Sequence, residues 1–483
     1  MRRLYLAVAL PKITYGIDTW YTPPHKTPGT TKNAGSVGVL RSLQKIQRVA
    51  TIAITGALRT TPTDLLDAHA GLLPMELVLS KACHRAAVRL LTLPHTHPLH
   101  RIVKDARRRP PNKHLGSVDL AIATLNIGNA KMETITPTTD EPLQQPRFKT
   151  EILTSRELSI EREAKDPADY RVYSDGSGLE DGIGAAAVIY KKGVSQPLGH
   201  LKAYLGPPTM HNTYEAEVVG GILATRLIQT TPGTDFKRIS LYIDNQSTIR
   251  TSTTNPKVAL GQHLVKAFIQ EADNTRSKLT IRWISSHSDV KGNEHADKLA
   301  KEAAEGNASP QEQLPPVLRR TLPASASAVK QEHLMHLKRK WKTTWHKSPR
   351  HQRFTQIDNT FPFSKYRRQQ DELKRNQASL LIQVRSGHIP LNSYLYRIGK
   401  SETKQCRKCH AEPGEVTPTE TVNHFIFECD AYSQERISLT KATGRDNLNL
   451  KNIMLKTKTM KALTKFIHRT GRFKTDEQPN ADH

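Results

Sequence analysis

Cysteine is scarce. Four thiols, Cys83, Cys406, Cys409 and Cys429, in 483 residues cannot staple a fold, and three of them crowd into one short window. That usage suits a reducing compartment and, at the crowded window, a metal. Long apolar runs are missing as well: Leu4 to Leu10 and Ala185 to Ile189 fall far short of the ~20 residues a membrane helix needs. Met1-Arg-Arg followed by Leu4 to Leu10 imitates a secretory leader, but Pro11-Lys12 stops the run and no small-residue cleavage site follows. The expectation is an intracellular protein, with a nuclear location open, and not a secreted one. Acidic charge is the scarce sign: 45 Asp and Glu stand against 72 Lys and Arg, a net +27 with pI near 9.9. The partner is then a polyanion, nucleic acid or an anionic membrane surface, rather than an acidic small molecule.

At about 150 residues per domain the length allows about three folded units. Residues 1–110 read as helical, with Leu40, Leu43, Ile46, Val49 and Ile52 at helix-like spacing and a second helix around Met75 to Leu91. Residues 111–167, rich in Pro, Thr, Glu and Gln, read as linker. Short strands separated by helices then predict an α/β domain over 168–306, followed by a second linker, 307–335. Residues 336–395 form a basic helical region. Within it Leu337 to Arg375 holds twelve Lys/Arg against Asp358, Asp371 and Glu372, a net +9. A cysteine-bearing module occupies 396–440, and 441–483 reads as a basic, polar tail.

The middle domain carries the chemistry. Tyr173-Ser-Asp175-Gly-Ser-Gly ends a short strand, and the apolar strand Gly182 to Tyr190 follows as a hairpin partner. Asn212 to Arg226 reads as a helix containing Glu217. Its Gly220-Gly221 pair, each poorer than Ala by up to ~1 kcal/mol in a helix, is tolerable where a helix lies close to a sheet. In Arg238 to Ile243 the residues Ile239, Leu241 and Ile243 share one face, so Asp244 belongs to the other, at the strand end. A last strand, Leu279 to Ile284, leads into a helix with Asp297 beside its apolar stripe.

Asp175, Glu217, Asp244 and Asp297 thus come from two strand ends and two helices of one sheet domain, where they can converge. Clustered carboxylates raise one another's pKa unless a cation joins them. Oxygen ligands with no Cys or His cluster beside them point to Mg²⁺ or Mn²⁺ rather than zinc. Two such ions about 3.5 to 4 Å apart suit in-line phosphodiester hydrolysis.

The order Tyr-Ser-Asp-Gly-Ser, Glu-Ala-Glu, Tyr-Ile-Asp-Asn and Ser-His-Ser-Asp-Val-Lys-Gly-Asn-Glu-His-Ala-Asp-Lys-Leu-Ala resembles a type 1 ribonuclease H domain. The resemblance implies an α/β fold with a mixed five-stranded sheet and flanking helices, and hydrolysis of the RNA strand of RNA/DNA hybrids. It implies that Asp175, Glu217, Asp244 and Asp297 are the metal-binding acids and that His287 assists proton transfer and product release. Glu217 is chosen over Glu215 because the family's acid directly precedes the apolar run Val218 to Leu223; Glu215 is then a solvated neighbour. Ser177, Asn212, Asn245 and Gln246 are candidate contacts to the substrate, whose RNA strand is distinguished by its 2′-hydroxyls. The basic protrusion of some family members is absent, since Thr251 to Pro256 is short.

A second constellation, Cys406-Arg-Lys-Cys409 with His424-Phe-Ile-Phe-Glu-Cys429, has the C-x2-C-x14-H-x4-C spacing of a structural zinc site with all four positions filled. Buried unliganded cysteines are the alternative, with His410 a substitute ligand. Arg407 and Lys408 suit phosphate contact. This segment, with Leu380 to His388 before it, is similar to the C-terminal end of polyproteins from non-LTR (LINE-type) retrotransposons. Tyr5 to Gly16, Ile54 to Pro62 and Ala70 to Glu76 resemble the region just downstream of their reverse transcriptase palm. No paired-aspartate palm motif precedes this material, so the chain looks like the C-terminal portion of such a polyprotein and DNA synthesis is not expected.

Two readings of the whole follow: a two-Mg²⁺ (or Mn²⁺) hybrid nuclease with one Zn²⁺ at its C-terminal module, or a catalytically inactive nucleic-acid-binding remnant of a mobile element. With RNA/DNA hybrid and other nucleic acid as partners, an anionic membrane loses its support; the sequence leaves the oligomeric state open. The aromatics interleaved with the basic stretch, Trp341, Trp345, Phe354, Phe361, Phe363 and Tyr366, either stack on bases or form an ordinary core beneath solvated Lys and Arg.

Overall fold

The computed structural model describes residues 1–26, 33–108, 122, 131–137, 148–252, 259–286, 288–409 and 416–473. Two compact units compose it: residues 1–17, 23–82 and 336–483, and residues 18–22 and 83–335. Among the described residues no helix is long and apolar enough to cross a membrane.

The unit of residues 83–335 is built on one sheet. Its strands are β1 (Lys149–Glu151), β2 (Tyr170–Gly178), β3 (Ile183–Lys191), β4 (Gly199–Gly206), β5 (Arg238–Ile243) and β6 (Lys278–Trp283), in the order β1-β6-β5-β2-β3-β4. β2, β3 and β4 form an antiparallel meander, whereas β5, β6 and β1 extend the other side of β2 in parallel. The sheet is mixed, as expected, but has six strands and not five. The addition is β1, three residues long and paired only with β6. So short an edge strand shows no period in the sequence, and it lies in the stretch read as linker. That linker is ordered from Lys149 onward: Arg162 of α1 (Arg156–Ala164) pairs with Glu151 at 3.0 Å, and Arg171 and Tyr173 both bind Glu163, at 2.7 and 2.6 Å.

Side-chain alternation along the strands builds two cores. Val172, Ala185, Ala187, Leu241 and Ile281 pack against α2 (Thr213–Thr230) and α4 (Gln262–Asp273); α3 (Gln246–Ser252) lies between them in sequence. Tyr173, Ala186, Val188 and Tyr242 pack on the other face against Ala296, Leu299 and Ala300 of α5 (Lys291–Ala304). Burying each such Val, Leu or Ile contributes about 1.5 to 3 kcal/mol. The glycines permit close approach: a Cβ on Gly220 would meet Asp175 O at 3.1 Å, and one on Gly221 the Phe268 ring at 2.9 Å.

The other unit holds the first helices and the C-terminal third. In the helix Val37–Thr55 the expected apolar stripe is buried only in part: Leu40 is buried and Ile52 packs on the core, but Ile46 and Val49 are 50% and 69% exposed, while Gln47 and Thr51 are buried. Polar anchoring decides this. Gln47 Nε2 donates to Asp67 Oδ1 and to the Leu73 carbonyl, both at 3.0 Å, and its Oε1 accepts from the Tyr5 hydroxyl. Leu337, Trp341 and Trp345, four residues apart on one helical face, sit in the core with Phe354, Phe363 and Tyr366, and Phe361 packs against them. The base-stacking alternative is therefore excluded for these rings.

Arg385, on α6 (Arg375–Ser386), is the largest fully buried side chain among the described residues. A buried cation survives only when its charge and donors are matched. Here Nη2 donates to Asp358 at 2.9 Å, Nε donates to His69 Nε2 at 3.0 Å, and the guanidinium lies over Tyr366 and Phe363 at 4.3 and 4.9 Å. His69 accepts from Arg385 because its Nδ1–H is spent on the Leu65 carbonyl; burial and the neighbouring Arg385 hold its pKa well below the ordinary value. The segment read as a polar tail is also ordered. α7 (Ser433–Thr443) packs on α8 (Thr457–Arg469), whose Met460, Leu463, Phe466 and Ile467 enter the same core.

Candidate active site and metal centre

Parallel pairing of β2 with β5 runs to Ser174 opposite Ile243, so Asp175 and Asp244 follow side by side on neighbouring strands, which are about 4.8 Å apart. Alternation turns both toward the α5 face, where Tyr173 and Tyr242 stack one step earlier at 5.1 Å. Glu217 arrives from the first turns of α2. Its backbone nitrogen and Ala216 fill the space where a side chain on Gly176 would stand, so the helix meets the strand at a residue without a Cβ. Carboxylate oxygens of Asp175, Glu217 and Asp244 come within 4.8 Å of one another.

The electrostatics follow from that crowding. Burial, then Asp244 and Asp297, push Asp175 up to about 7, against a hydrogen bond from Gly176 N at 2.7 Å. Burial, then Asp244 and Asp175, push Glu217 up to about 10, and its Oε2 is buried without a partner. Asp244 is held by its neighbours: the Trp283 indole donates to its carbonyl at 2.9 Å and Ser286 Oγ to its carboxylate at 2.8 Å. Asp297 stands outside the three-carboxylate group, within electrostatic reach of Asp175 but held by Lys301 Nζ at 2.6 Å. Lys301 is not among the residues the sequence motifs single out, although an acid and a base four apart in a helix are a readable pair. An orphaned buried oxygen beside two further carboxylates is the environment a hard divalent cation fits.

The substrate candidates divide. Asn212 is the N-cap of α2: its Oδ1 accepts from Glu215 N at 3.0 Å, and its Nδ2 donates to Ser325. Glu215 is not solvated. It is 1% exposed and returns the cap by accepting from Asn212 N, the capping-box pattern of Asn followed three residues later by Glu. Asn245 accepts from the Ser247 and Thr248 amides at the start of α3, and Gln246 from Arg250. Ser177 is half-buried on β2 opposite Gly184. His287, like His410 and part of the Thr251 to Pro256 segment, lies outside the described residues.

Cys406, Cys409, His424 and Cys429 also converge, with their ligand atoms within 4.8 Å of one another. A tetrahedral ion with ~2.3 Å bonds to sulfur and ~2.05 Å to nitrogen requires S–S edges of about 3.8 Å and an S–N edge of about 3.6 Å. The structure has Cys406–Cys429 at 3.9 Å, Cys409–Cys429 at 3.6 Å and Cys409 Sγ–His424 Nε2 at 3.4 Å. These edges are far from a disulfide bond and have the dimensions of a tetrahedral Cys3His metal cage. The backbone prepares it. In an α-helix residues five apart point ~140° apart, but His424–Glu428 is a single π turn, closed by Cys429 N to His424 O at 2.7 Å, which returns Cys429 to the face of His424. The module is not free-standing: Glu420 is buried and gripped by Arg472, just beyond α8, through two 2.7 Å bonds.

Residues 167–305 match the RNase H family model, so the chain carries an RNase H domain there; β1 and α1 precede the matched stretch. Solved structures similar to part of the chain include the N-terminal RNase H domain of rv2228c from Mycobacterium tuberculosis, solved as a fusion with maltose binding protein. It is 19% identical, covers 29% of this chain and 95% of that one, and has a TM-score of 0.24. RNase H1 from the halophilic archaeon Halobacterium salinarum NRC-1 is 20% identical, over 28% and 96%, with a TM-score of 0.23. LC11-RNase H1, solved in complex with an RNA/DNA hybrid, is 18% identical, over 28% and 97%, with a TM-score of 0.23. No curated protein matches the chain.

Proposed function

We propose that the chain hydrolyses the RNA strand of RNA/DNA hybrids endonucleolytically, with divalent metal, and that it derives from the C-terminal part of a non-LTR retrotransposon polyprotein. The observation that carries the nuclease reading is the convergence of buried Asp175 and Glu217 with half-buried Asp244, and the orphaned Glu217 oxygen among them. The motif order in the sequence supports the retrotransposon origin.

Asp175, Glu217 and Asp244 would hold Mg²⁺ or Mn²⁺, with Asp297 joining when Lys301 releases it. Two bound ions supply water activation and stabilise the leaving oxygen in such a site. The chain's own residues do the positioning: Ser286 and Trp283 fix Asp244, and the Gly176 amide orients Asp175. His287 is assigned proton transfer and product release. Ser177 and Gln246 reach for the substrate, whereas Asn212 and Asn245 set the helix starts beside it. The Cys3His centre, taken as one Zn²⁺, fills all four positions with protein ligands and serves folding rather than catalysis.

A hybrid duplex incubated with and without Mg²⁺, beside Asp175→Asn and Asp244→Asn, tests this. Metal-dependent cleavage abolished by each substitution is expected, and activity that survives either one sinks the assignment. The second reading, a non-catalytic nucleic-acid-binding remnant, is favoured by the Lys301 grip on Asp297. Salt-sensitive binding without turnover by the wild-type chain would select it.

A further inference from the structure

From Asn447 to Thr475 the chain carries eight Lys and Arg and no Asp or Glu. This bias becomes a surface only because α8 folds. Met460, Leu463, Phe466 and Ile467 are buried on one side, which leaves Lys458, Lys461, Lys465 and Arg469 exposed on the other. At 100° and 1.5 Å per residue these four fall within a sector of about 80° and span about 16.5 Å. Lys458, Lys461 and Lys465 have no ion-pair partner among the described residues, and Arg469 donates to the neutral Ser438 hydroxyl.

We infer that this stripe is a docking surface for the phosphate backbone of nucleic acid, separate from the nuclease site and independent of its activity. The occupant follows from what the stripe has and lacks. Four cations in line, without an acid among them, complement a polyanion. A membrane surface would require apolar side chains to enter the headgroup boundary, and those of α8 are committed to the core. A protein partner would require aromatic or aliphatic anchors at the centre of the patch; on the exposed side of α8 none is present. The buried tryptophans exclude base stacking in the basic stretch before it, so contact here is to phosphate and carries no sequence preference.

Binding of a labelled 20-base-pair DNA duplex, which is not a hybrid substrate, to the full-length chain is followed by fluorescence anisotropy between 50 and 200 mM salt. Four phosphate contacts contribute about −3.6 to the slope of log K against log[salt], a loss of about 150-fold over that range. Lys458→Ala/Lys461→Ala/Lys465→Ala should make the slope shallower by about 2.7, with zinc content, melting temperature and hybrid cleavage unchanged, and triple Lys→Arg should keep the wild-type slope. In the wild-type chain, duplex should protect the same three lysines from acetylation, a readout needing no variant. Unchanged slope and no protection overturn the proposal. So does binding to phosphatidylserine vesicles lost in the triple variant while duplex binding is kept. Loss of hybrid cleavage with duplex binding retained would count only against the nuclease reading.

Discussion

Replacing Glu217 with Gln should stabilise the metal-free protein, although the residue is 8% exposed and its counterpart in a functional site would ordinarily be thought indispensable. Two unit charges 4.8 Å apart, the bound on the carboxylate oxygens here, repel by about 3.5 kcal/mol at an effective dielectric constant of 20. The folded chain escapes by keeping Glu217 protonated, which is why its pKa is pushed up from 4.5 to about 10. The sign is then fixed. The folded state holds a proton that the unfolded chain releases, so stability is fully present below about pH 4.5 and falls as pH rises toward 10, by at most about 1.4 kcal/mol per unit. At pH 7.5 that is a ceiling of about 4 kcal/mol, close to the Coulomb figure; relaxation and water entry reduce it, and about 2 kcal/mol is the expected gain. Gln retains a donor toward Asp244 and removes the titration. Calorimetry at pH 7.5 without divalent ions should show the transition of the unit containing Asp175 raised by about 5 °C in Glu217→Gln, with a flatter pH profile. Added Mg²⁺ should raise the wild type and leave the variant nearly unmoved. A variant less stable than wild type without metal, or a wild type indifferent to Mg²⁺, would refute the reasoning.

Gly176→Ala places a methyl on the Glu217 backbone nitrogen and on Ala216, and backbone cannot swing aside; overpacking of this kind costs about 1 to 3 kcal/mol, read by denaturant unfolding together with loss of Mg²⁺ affinity. Cys429→Ala opens the Cys3His cage, so metal content should fall from about one zinc per chain and proteolysis should reach α7 and α8 first; unchanged zinc by mass spectrometry would dismiss the centre. Asp358→Ala strands the buried Arg385 charge, and a loss of about 3 to 5 kcal/mol is expected by chemical denaturation. Lys301→Met frees Asp297, so calorimetric titration should show tighter Mg²⁺ binding than in wild type; weaker binding would mean that Lys301 positions Asp297 rather than competes for it.

The parts of the site legible in the sequence were those marked by a change of period. Asp244 closes an alternating strand, Asp175 opens the Asp-Gly-Ser-Gly stretch of another and Asp297 sits at the edge of a helical stripe, so their type and position spoke together. The burial of Glu215 was not legible for the opposite reason. Asn-x-x-Glu before an apolar run is a capping signal, but a functional reading was laid over it, and burial, which sequence does not display, decided the matter. β1 escaped because three residues carry no period. The Leu337, Trp341, Trp345 spacing already described a core stripe, and Met460, Leu463, Phe466 and Ile467 described another inside a segment dismissed for its lysines. In both cases composition masked periodicity.

That masking has a physical origin which bears on where the net +27 acts. A helix in a small unit needs only three or four apolar positions to bury one face, so the remaining positions are free to be cationic without harm to the fold. α8 uses this freedom fully, with core residues at Met460, Leu463, Phe466 and Ile467 and lysines between them. The RNase H domain cannot do the same near Asp175, where Lys301 already pairs with Asp297; every further cation there would stand against the divalent ions proposed for the carboxylates. Positive charge for gripping a polyanion and negative charge for gripping metal must therefore be kept apart along the chain. The helices beyond the sheet domain can carry the first because their packing asks nothing of their outer faces.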